Sequence, residues 1–291
     1  MDRLAGMTVA VVGGDRREQE ICRLARRAGG IVKAYGIPWP ASGLPGVTRC
    51  STLEDALADA ELCLLPLPLP GADGTLYAPA AAAPIRLRAE HLARLRRSAR
   101  IIAGSVNQEI CATAAAAAIP IDTYGAELTG RRERAVAVAE SAAGRVIAAT
   151  EHTIRGARVA VLGYGVVGQA VADIFERLGA STWLFGRSPH RAEVLPIASL
   201  AEWTPALDIL LSTIPAAVVE ADVFRTLPPH ALVVDLAAPA GIAPAAESAG
   251  ARTLRALGLG DCAPVTVGGI QWRQILALLS DNSKASHVSS A

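Results

Sequence analysis

The chain has 291 residues, room for two domains of ordinary size. Its 28 basic and 27 acidic residues leave a formal charge of +1, so no global field draws in nucleic acid or an anionic membrane surface. Although 52% of the residues are hydrophobic, Pro, Gly or charge breaks every apolar run before the ~18 residues a bilayer crossing needs, and a membrane span is excluded.

The opening apolar run, 7–12, turns into Gly-Gly-Asp-Arg-Arg and is too short for a signal-peptide core. Five scattered cysteines, Cys22, Cys50, Cys63, Cys111 and Cys262, show neither a Cys-x-x-Cys pair nor a histidine spacing suited to zinc. These features imply a cytoplasmic protein with reduced, mostly buried thiols and no metal site.

The first element is "MTVAVVGGDRREQEICRLARRAGG": a short β-branched run, a glycine turn, then a helix with Ile21, Leu24, Ala25 and Ala28 at helical spacing. Strands over 31–35, 62–65, 100–103 and 120–123 and helices over 52–58, 89–98 and 107–117 complete a parallel-sheet domain spanning 1–130. The Pro-rich run 66–84 lacks the donors for regular structure and reads as a long loop at the carboxyl end of a strand, where open α/β sheets bind ligands. A surface excursion without function is the competing reading. Residues 131–150 form one interdomain helix.

The second domain, 151–267, repeats the design in "ARVAVLGYGVVGQAVADIFERLGA", where Val171, Ile174, Phe175 and Leu178 recur at helical spacing. Its strands fall at 158–162, 181–185, 209–213, 232–236 and 253–256. A last helix over 270–279, within the segment 268–291, is expected to rejoin the first domain ahead of a frayed polar tail. The fold class is therefore α/β, with two parallel-sheet domains separated by a cleft: a flavodoxin/Rossmann-like N-terminal domain and a C-terminal Rossmann domain.

The motif "VLGYGVVGQ" places Gly-x-Gly-x-x-Gly at Gly163, Gly165 and Gly168, directly after a strand and opening a helix. Gly163 permits the tight turn, Gly165 lets backbone approach a pyrophosphate, and Gly168 lets helix and strand pack closely. Val166 and Val167 then lie in the first helical turn, whose N–H groups and dipole suit phosphate. The next strand ends in Gly186, Arg187 and Ser188, where an acid usually holds the ribose hydroxyls. Arg187 can pair with a 2′-phosphate, Ser188 can bond it and Arg191 offers a second contact, so the expected cofactor is NADP. A solvated arginine at a strand end is the alternative. Two later loops, with Thr213 and Pro215 in "STIP" and Asp235, Leu236 and Ala237 in "DLAAPAG", sit at carboxyl strand ends and should border the nicotinamide. Asp235 equally suits tying backbone N–H groups at the end of a buried strand.

A nicotinamide site implies hydride transfer. Lysine occurs only at Lys33 and Lys284, which disfavours the Lys-Asp chemistry of shikimate dehydrogenases. A 2-hydroxy-acid dehydrogenase wants an arginine after the fifth strand and a late histidine; "DLAAPAGIAPAAESAG" has no arginine, and the only later histidine is His287.

The series "VAVVGGDRREQEI" (Gly13, Gly14, Asp15, Arg17), "GSVN" (Gly104, Asn107), "TIRGARVAVLGYGVVGQ", "STIP", "DLA" and "GLGDCAPVTVGG" resembles the A subunit family of dipicolinate synthase across nearly the whole chain. The resemblance implies an N-terminal substrate domain, an NADP-binding Rossmann domain and a cytoplasmic activity working with a separate B subunit. The reaction it implies converts a hydroxylated tetrahydrodipicolinate to a pyridine dicarboxylate by dehydration and two-electron oxidation. Two departures stand out. The family's Thr-x-Glu-Gly segment is replaced by "ESAAG", Glu140 to Gly144, and its Pro-Lys-Thr-Ala-Gly by Pro264, Val265, Thr266, Val267 and Gly268, which removes a lysine.

A dicarboxylate substrate needs cations and fixed donors. Arg17 and Asn107, each at the start of a helix after a strand, are the substrate-side candidates, with Asp15 either orienting Arg17 or capping its helix. Glu140 is the acid–base candidate, against the alternative of a solvated helix glutamate, and His152 reads as a surface residue. The expected function is an NADP-dependent oxidoreductase acting on that tetrahydrodipicolinate or a related cyclic imino or amino dicarboxylate. The competing class is a catalytically altered NADP-binding subunit that scaffolds or regulates a partner enzyme. The expected partners are a small carboxylated cyclic substrate, further copies in a homo-oligomer, and a B-type subunit.

Overall fold

A computed structural model describes residues 3–187 and 194–288. The chain forms two compact units, Met1–Arg131 with Ala263–Ala291, and Arg132–Cys262.

The first unit alternates β1 (Thr8–Val12), α1 (Arg16–Arg27), β2 (Ile31–Tyr35), β3 (Val47–Arg49), α2 (Leu53–Leu57), β4 (Leu62–Leu65), α3 (Ala89–Leu92), β5 (Arg100–Ala103), α4 (Gln108–Ala116) and β6 (Ile121–Thr123). All pairings are parallel, in the order β3-β2-β1-β4-β5-β6. Strands covered on both faces read as unbroken apolar runs. Accordingly Ala10, Val12, Cys63, Leu65 and Ile101 fill one core, while Val9, Val11, Leu62, Leu64 and Ile102 fill the other.

Helix α5 (Leu128–Ala149) leads into the second unit. There β7 (Arg158–Leu162), α6 (Val166–Arg177), β8 (Ser181–Gly186), β9 (Val194–Pro196), α7 (Leu200–Trp203), β10 (Ile209–Ser212), α8 (Ala221–Phe224), β11 (Leu232–Asp235), α9 (Ala243–Ser248) and β12 (Arg252–Arg255) build a second parallel sheet. Its order is β12-β11-β10-β7-β8-β9. Counted from its own first strand, each sheet runs 3-2-1-4-5-6, the doubly wound order of dinucleotide-binding folds rather than the flavodoxin order.

The last helix, α10 (Pro264–Val288), belongs to the first unit. It starts six residues earlier than the apolar spacing indicates and continues through the polar segment expected to fray. Proline suits the first helical position. At Gly268 the helix α1 comes so near that a Cβ would lie 2.8 Å from Glu20 Cβ and 2.9 Å from the Arg17 carbonyl oxygen. Trp272 and Ile275 then join Leu4, Ile21, Cys22 and Ala25 in one core.

Other differences are local. Edge strands β3 and β9 have three residues each, too few for a periodic signal. The helix expected over 89–98 stops at Leu92, because Arg96 N–H donates to the Ala60 carbonyl and the Arg94 carbonyl accepts from Asp59 N–H, diverting the chain. The 66–84 run contains neither helix nor strand, only one bridge between Thr75 and Arg86, where Arg86 also pairs with Asp73. All five cysteines are free, but only Cys22 and Cys63 are buried, whereas Cys111 and Cys262 are exposed. Among the described residues no helix is long and apolar enough to cross a membrane.

Candidate functional site

In the second unit β7 feeds α6 through the glycine turn, and the three glycines have separate reasons. Gly163 has φ +110°, and a Cβ there would collide with the Thr213 hydroxyl; one on Gly168 would collide with the Gly163 carbonyl. Gly165 differs, since a Cβ there meets nothing within 4 Å. The residue is exposed and forms the N-cap of α6 with no side-chain cap, so the N–H groups of the first turn, around Val166 and Val167, have no side-chain acceptor. An uncapped helix start beside open space is the physical requirement for holding a pyrophosphate.

Gly163, Tyr164, Gly165, Gly186, Arg187, Thr213, Ile214 and Pro215 line one pocket of about 380 Å³. Thr213 is fixed by its hydroxyl donating to the Leu162 carbonyl at 3.1 Å, and Gly186 lies against Val194 of the edge strand. Arg187 is exposed and makes no ion pair with any described residue. Ser188 and Arg191 lie outside the described residues. Tyr164 and Ile214, inside the two quoted motifs, are pocket residues that motif spacing alone does not single out.

Asp235, Leu236 and Ala237 do not line that pocket. Asp235 is fully buried: Oδ1 accepts from Ala237 N–H at 3.0 Å, while Oδ2 accepts from Gly241, Ile242 and Ala243 N–H at 2.8, 2.9 and 2.9 Å. Arg255 lies 2.9 Å from the same carboxylate and donates to the Ala237 carbonyl at 2.7 Å. This web shapes the loop after β11, the structural one of the two roles open to Asp235. Leu236 N–H donates to the Ser212 carbonyl at 2.9 Å, which ties the start of this loop to the end of β10.

The first unit's turn is built in the opposite sense. Asp15 caps α1 and also grips Arg17, through Nε to Oδ1 and a terminal guanidinium nitrogen to Oδ2, both at 2.7 Å. Capping and orienting are thus combined in one carboxylate. Arg17 is buried, at 7% exposure. Burial works against its charge, but the Asp15 hydrogen bonds and the nearby Glu18 outweigh it and hold its pKa above the ordinary value. Glu18 Oε2 accepts from Asp15 N–H at 2.8 Å, and Oε1 is buried with no partner. Burial pushes the Glu18 carboxyl up to about 7, against the pull of Arg17. Arg16, by contrast, is exposed.

Asn107 caps α4, its Oδ1 accepting from Ile110 N–H at 3.0 Å and its amide donating to the Gly71 carbonyl at 2.7 Å, which ties the long loop to the helix. Glu140 is exposed on α5. His152 is also exposed, its ring edge-on to His230 at 4.9 Å. Among the described residues no group of His, Cys, Asp and Glu could hold a metal ion.

Two doubly wound parallel sheets, one with an open glycine turn at a topological switch point, form the framework of a dinucleotide-binding protein, and its likeness to a dehydrogenase NAD-binding domain makes it a nicotinamide-dependent dehydrogenase. The family model for the D-isomer specific 2-hydroxyacid dehydrogenase NAD binding domain matches residues 131–242, and that for the N-terminal domain of the dipicolinate synthase A subunit matches residues 8–124. The dipicolinate synthase A subunit of Bacillus subtilis (strain 168) is 28% identical over 289 residues, covering 96% of this chain and 97% of that one. The crystal structure of the same subunit from Bacillus halodurans matches with TM-score 0.79 and 28% identity over 95% of this chain and 98% of its own. That of the Bacillus subtilis protein gives 0.74 and 27% over 96% and 98%. Over nearly its whole length the chain is similar to the A subunits of dipicolinate synthase.

Proposed function

We propose that the protein is an NADP-dependent oxidoreductase that oxidises a hydroxylated tetrahydrodipicolinate, or a related cyclic imino or amino dicarboxylate, towards a pyridine dicarboxylate. The observation that carries the cofactor choice is Arg187, a cation without an ion-pair partner among the described residues, on the wall of the pocket that also holds Gly163 and Gly165. A 2′-phosphate gains a charge-assisted bond there, whereas a bare ribose gains none. The nicotinamide supplies the hydride acceptor. The protein supplies the glycine turn for the pyrophosphate, Arg187 for the 2′-phosphate, and Thr213 and Pro215 towards the nicotinamide.

The substrate class rests on the likeness to the dipicolinate synthase A subunits, and we assign Arg17 and Asn107, each already engaged within the first unit, to supporting the substrate side rather than to direct contact, together with Glu140. Arg17 and Asn107 hold the turns at the carboxyl edge of the first sheet, and Glu140 is the acid–base candidate. The names of the relatives, which make them one subunit of a synthase, support a B-type partner, and further copies of the chain complete the proposed assembly. Purified protein, alone and with a co-expressed B-type subunit, should reduce NADP in the presence of a cyclic hydroxylated dicarboxylate. NADP binding without turnover in either preparation would favour the reading in which this chain scaffolds a partner enzyme.

A further inference from the structure

The first unit carries a second pocket of about 380 Å³, at the carboxyl ends of β2 and β3 and closed on one side by residues 80–82 of the long loop. Tyr35, Trp39, Arg49 and Ser51 supply its chemistry, and no carboxylate lines it. The Arg49 guanidinium carbon stands 5.6 Å from the centroid of the Trp39 ring, a cation–π contact that steadies the side chain without neutralising it. Arg49 makes no ion pair with any described residue, and the Tyr35 and Ser51 hydroxyls have no hydrogen-bond partner among them.

The pocket's place in the fold narrows its ligand. Gly13 N–H donates to the Tyr35 carbonyl at 2.9 Å, as Gly163 N–H does to the Phe185 carbonyl at 2.8 Å, so Gly36 and Gly186 occupy equivalent positions. The pocket therefore lies where the ribose end of a dinucleotide lies on a Rossmann unit. A pyrophosphate is barred from the first unit, because Asp15 and Glu18 fill the turn and the Tyr77 carbonyl accepts from Gly14 N–H at 2.6 Å. What remains is space for a small ring with an anionic substituent. Arg17 could meet a carboxylate only by releasing Asp15; Arg49 has nothing to release.

We propose that this pocket binds the ring of a small cyclic carboxylate, with the carboxylate on Arg49, the ring against Trp39 and Tyr35, and Ser51 bonding a second polar group. The assignment rests on the proposed function and places its substrate class on named residues. The test is calorimetric titration of the NADP-loaded full chain with pyridine-2,6-dicarboxylate, and with glutarate as a ringless dicarboxylate. Arg49→Ala should weaken ring-acid binding at least about tenfold and Arg49→Lys should fall between, while NADP affinity stays unchanged. Glutarate should bind more weakly than the ring acid. Equal ring-acid binding by wild type and Arg49→Ala overturns the pocket and leaves the proposed function standing; glutarate binding as tightly as the ring acid overturns the ring contact. No ring-acid binding by a wild-type protein that does bind NADP overturns both.

Discussion

In the second unit the helix after β7 starts at Gly165, which has no side chain to cap it and faces open space. In the first unit the helix after β1 starts at Asp15, whose carboxylate caps it, grips Arg17 and is bracketed by Glu18. The two sheets have the same strand order, yet one turn is left open for an anion and the other supplies its own. A helix N-terminus attracts negative charge whatever its source. Topology puts that attraction at the same place twice, and the side chains at the turn decide whether a ligand or the protein answers it.

The largest effect should come from breaking the internal anion site. Arg17→Ala leaves Asp15 buried beside an unpaired carboxyl and should cost about 3–5 kcal/mol in urea unfolding, with NADP affinity of the folded protein unchanged. Arg16→Ala, at an exposed position, should cost under about 0.5 kcal/mol. Equal stabilities of the two variants would mean that the Asp15–Arg17 pair does not hold the first turn.

Filling the open turn should do the reverse. Gly165 has φ −78° and ψ 179°, backbone that valine adopts readily, so Gly165→Val should fold normally by circular dichroism. Its side chain takes the space of the pyrophosphate, and NADP binding should fall by more than about a hundredfold. Normal binding by that variant would reduce the turn to a packing feature.

Glu18 sharpens the comparison through pH. Its carboxyl is raised from 4.5 to about 7 by burial, so between those values the folded chain keeps a proton that the unfolded chain has released. Stability should therefore be full below about pH 4.5 as far as this group is concerned, and fall progressively as pH rises from there to about 7, by roughly 3 kcal/mol. Glu18→Gln should flatten that slope in thermal melts from pH 5 to 8; an unchanged slope would mean that Glu18 is ionised throughout.

The open turn is the more legible of the two in sequence. Glycine spacing reports backbone geometry directly: Gly163 and Gly168 stand where a side chain would collide, and Gly165 stands where one would project into open space. The closed turn is half legible: Asp15 reads as a cap, but one aspartate can both cap a helix and hold the arginine two residues on, and no spacing rule separates an arginine offered to a ligand from one already engaged. Asp235 shows the same limit, since a strand-end acid bonded to four backbone N–H groups looks in sequence like one aimed at a cofactor. Arg49 is invisible there because its strand has three residues and its partner Trp39 is reached only through a loop.

The central claim is that one chain with two such sheets holds one dinucleotide, in the second unit, and reads its 2′-phosphate with Arg187. Calorimetric titration with NADP and with NAD tests it most directly. The account predicts one NADP per chain, a preference over NAD of at least about 1.4 kcal/mol, and loss of that preference in Arg187→Ala. Two dinucleotides per chain, equal affinity for NADP and NAD, or a preference that survives Arg187→Ala would contradict it.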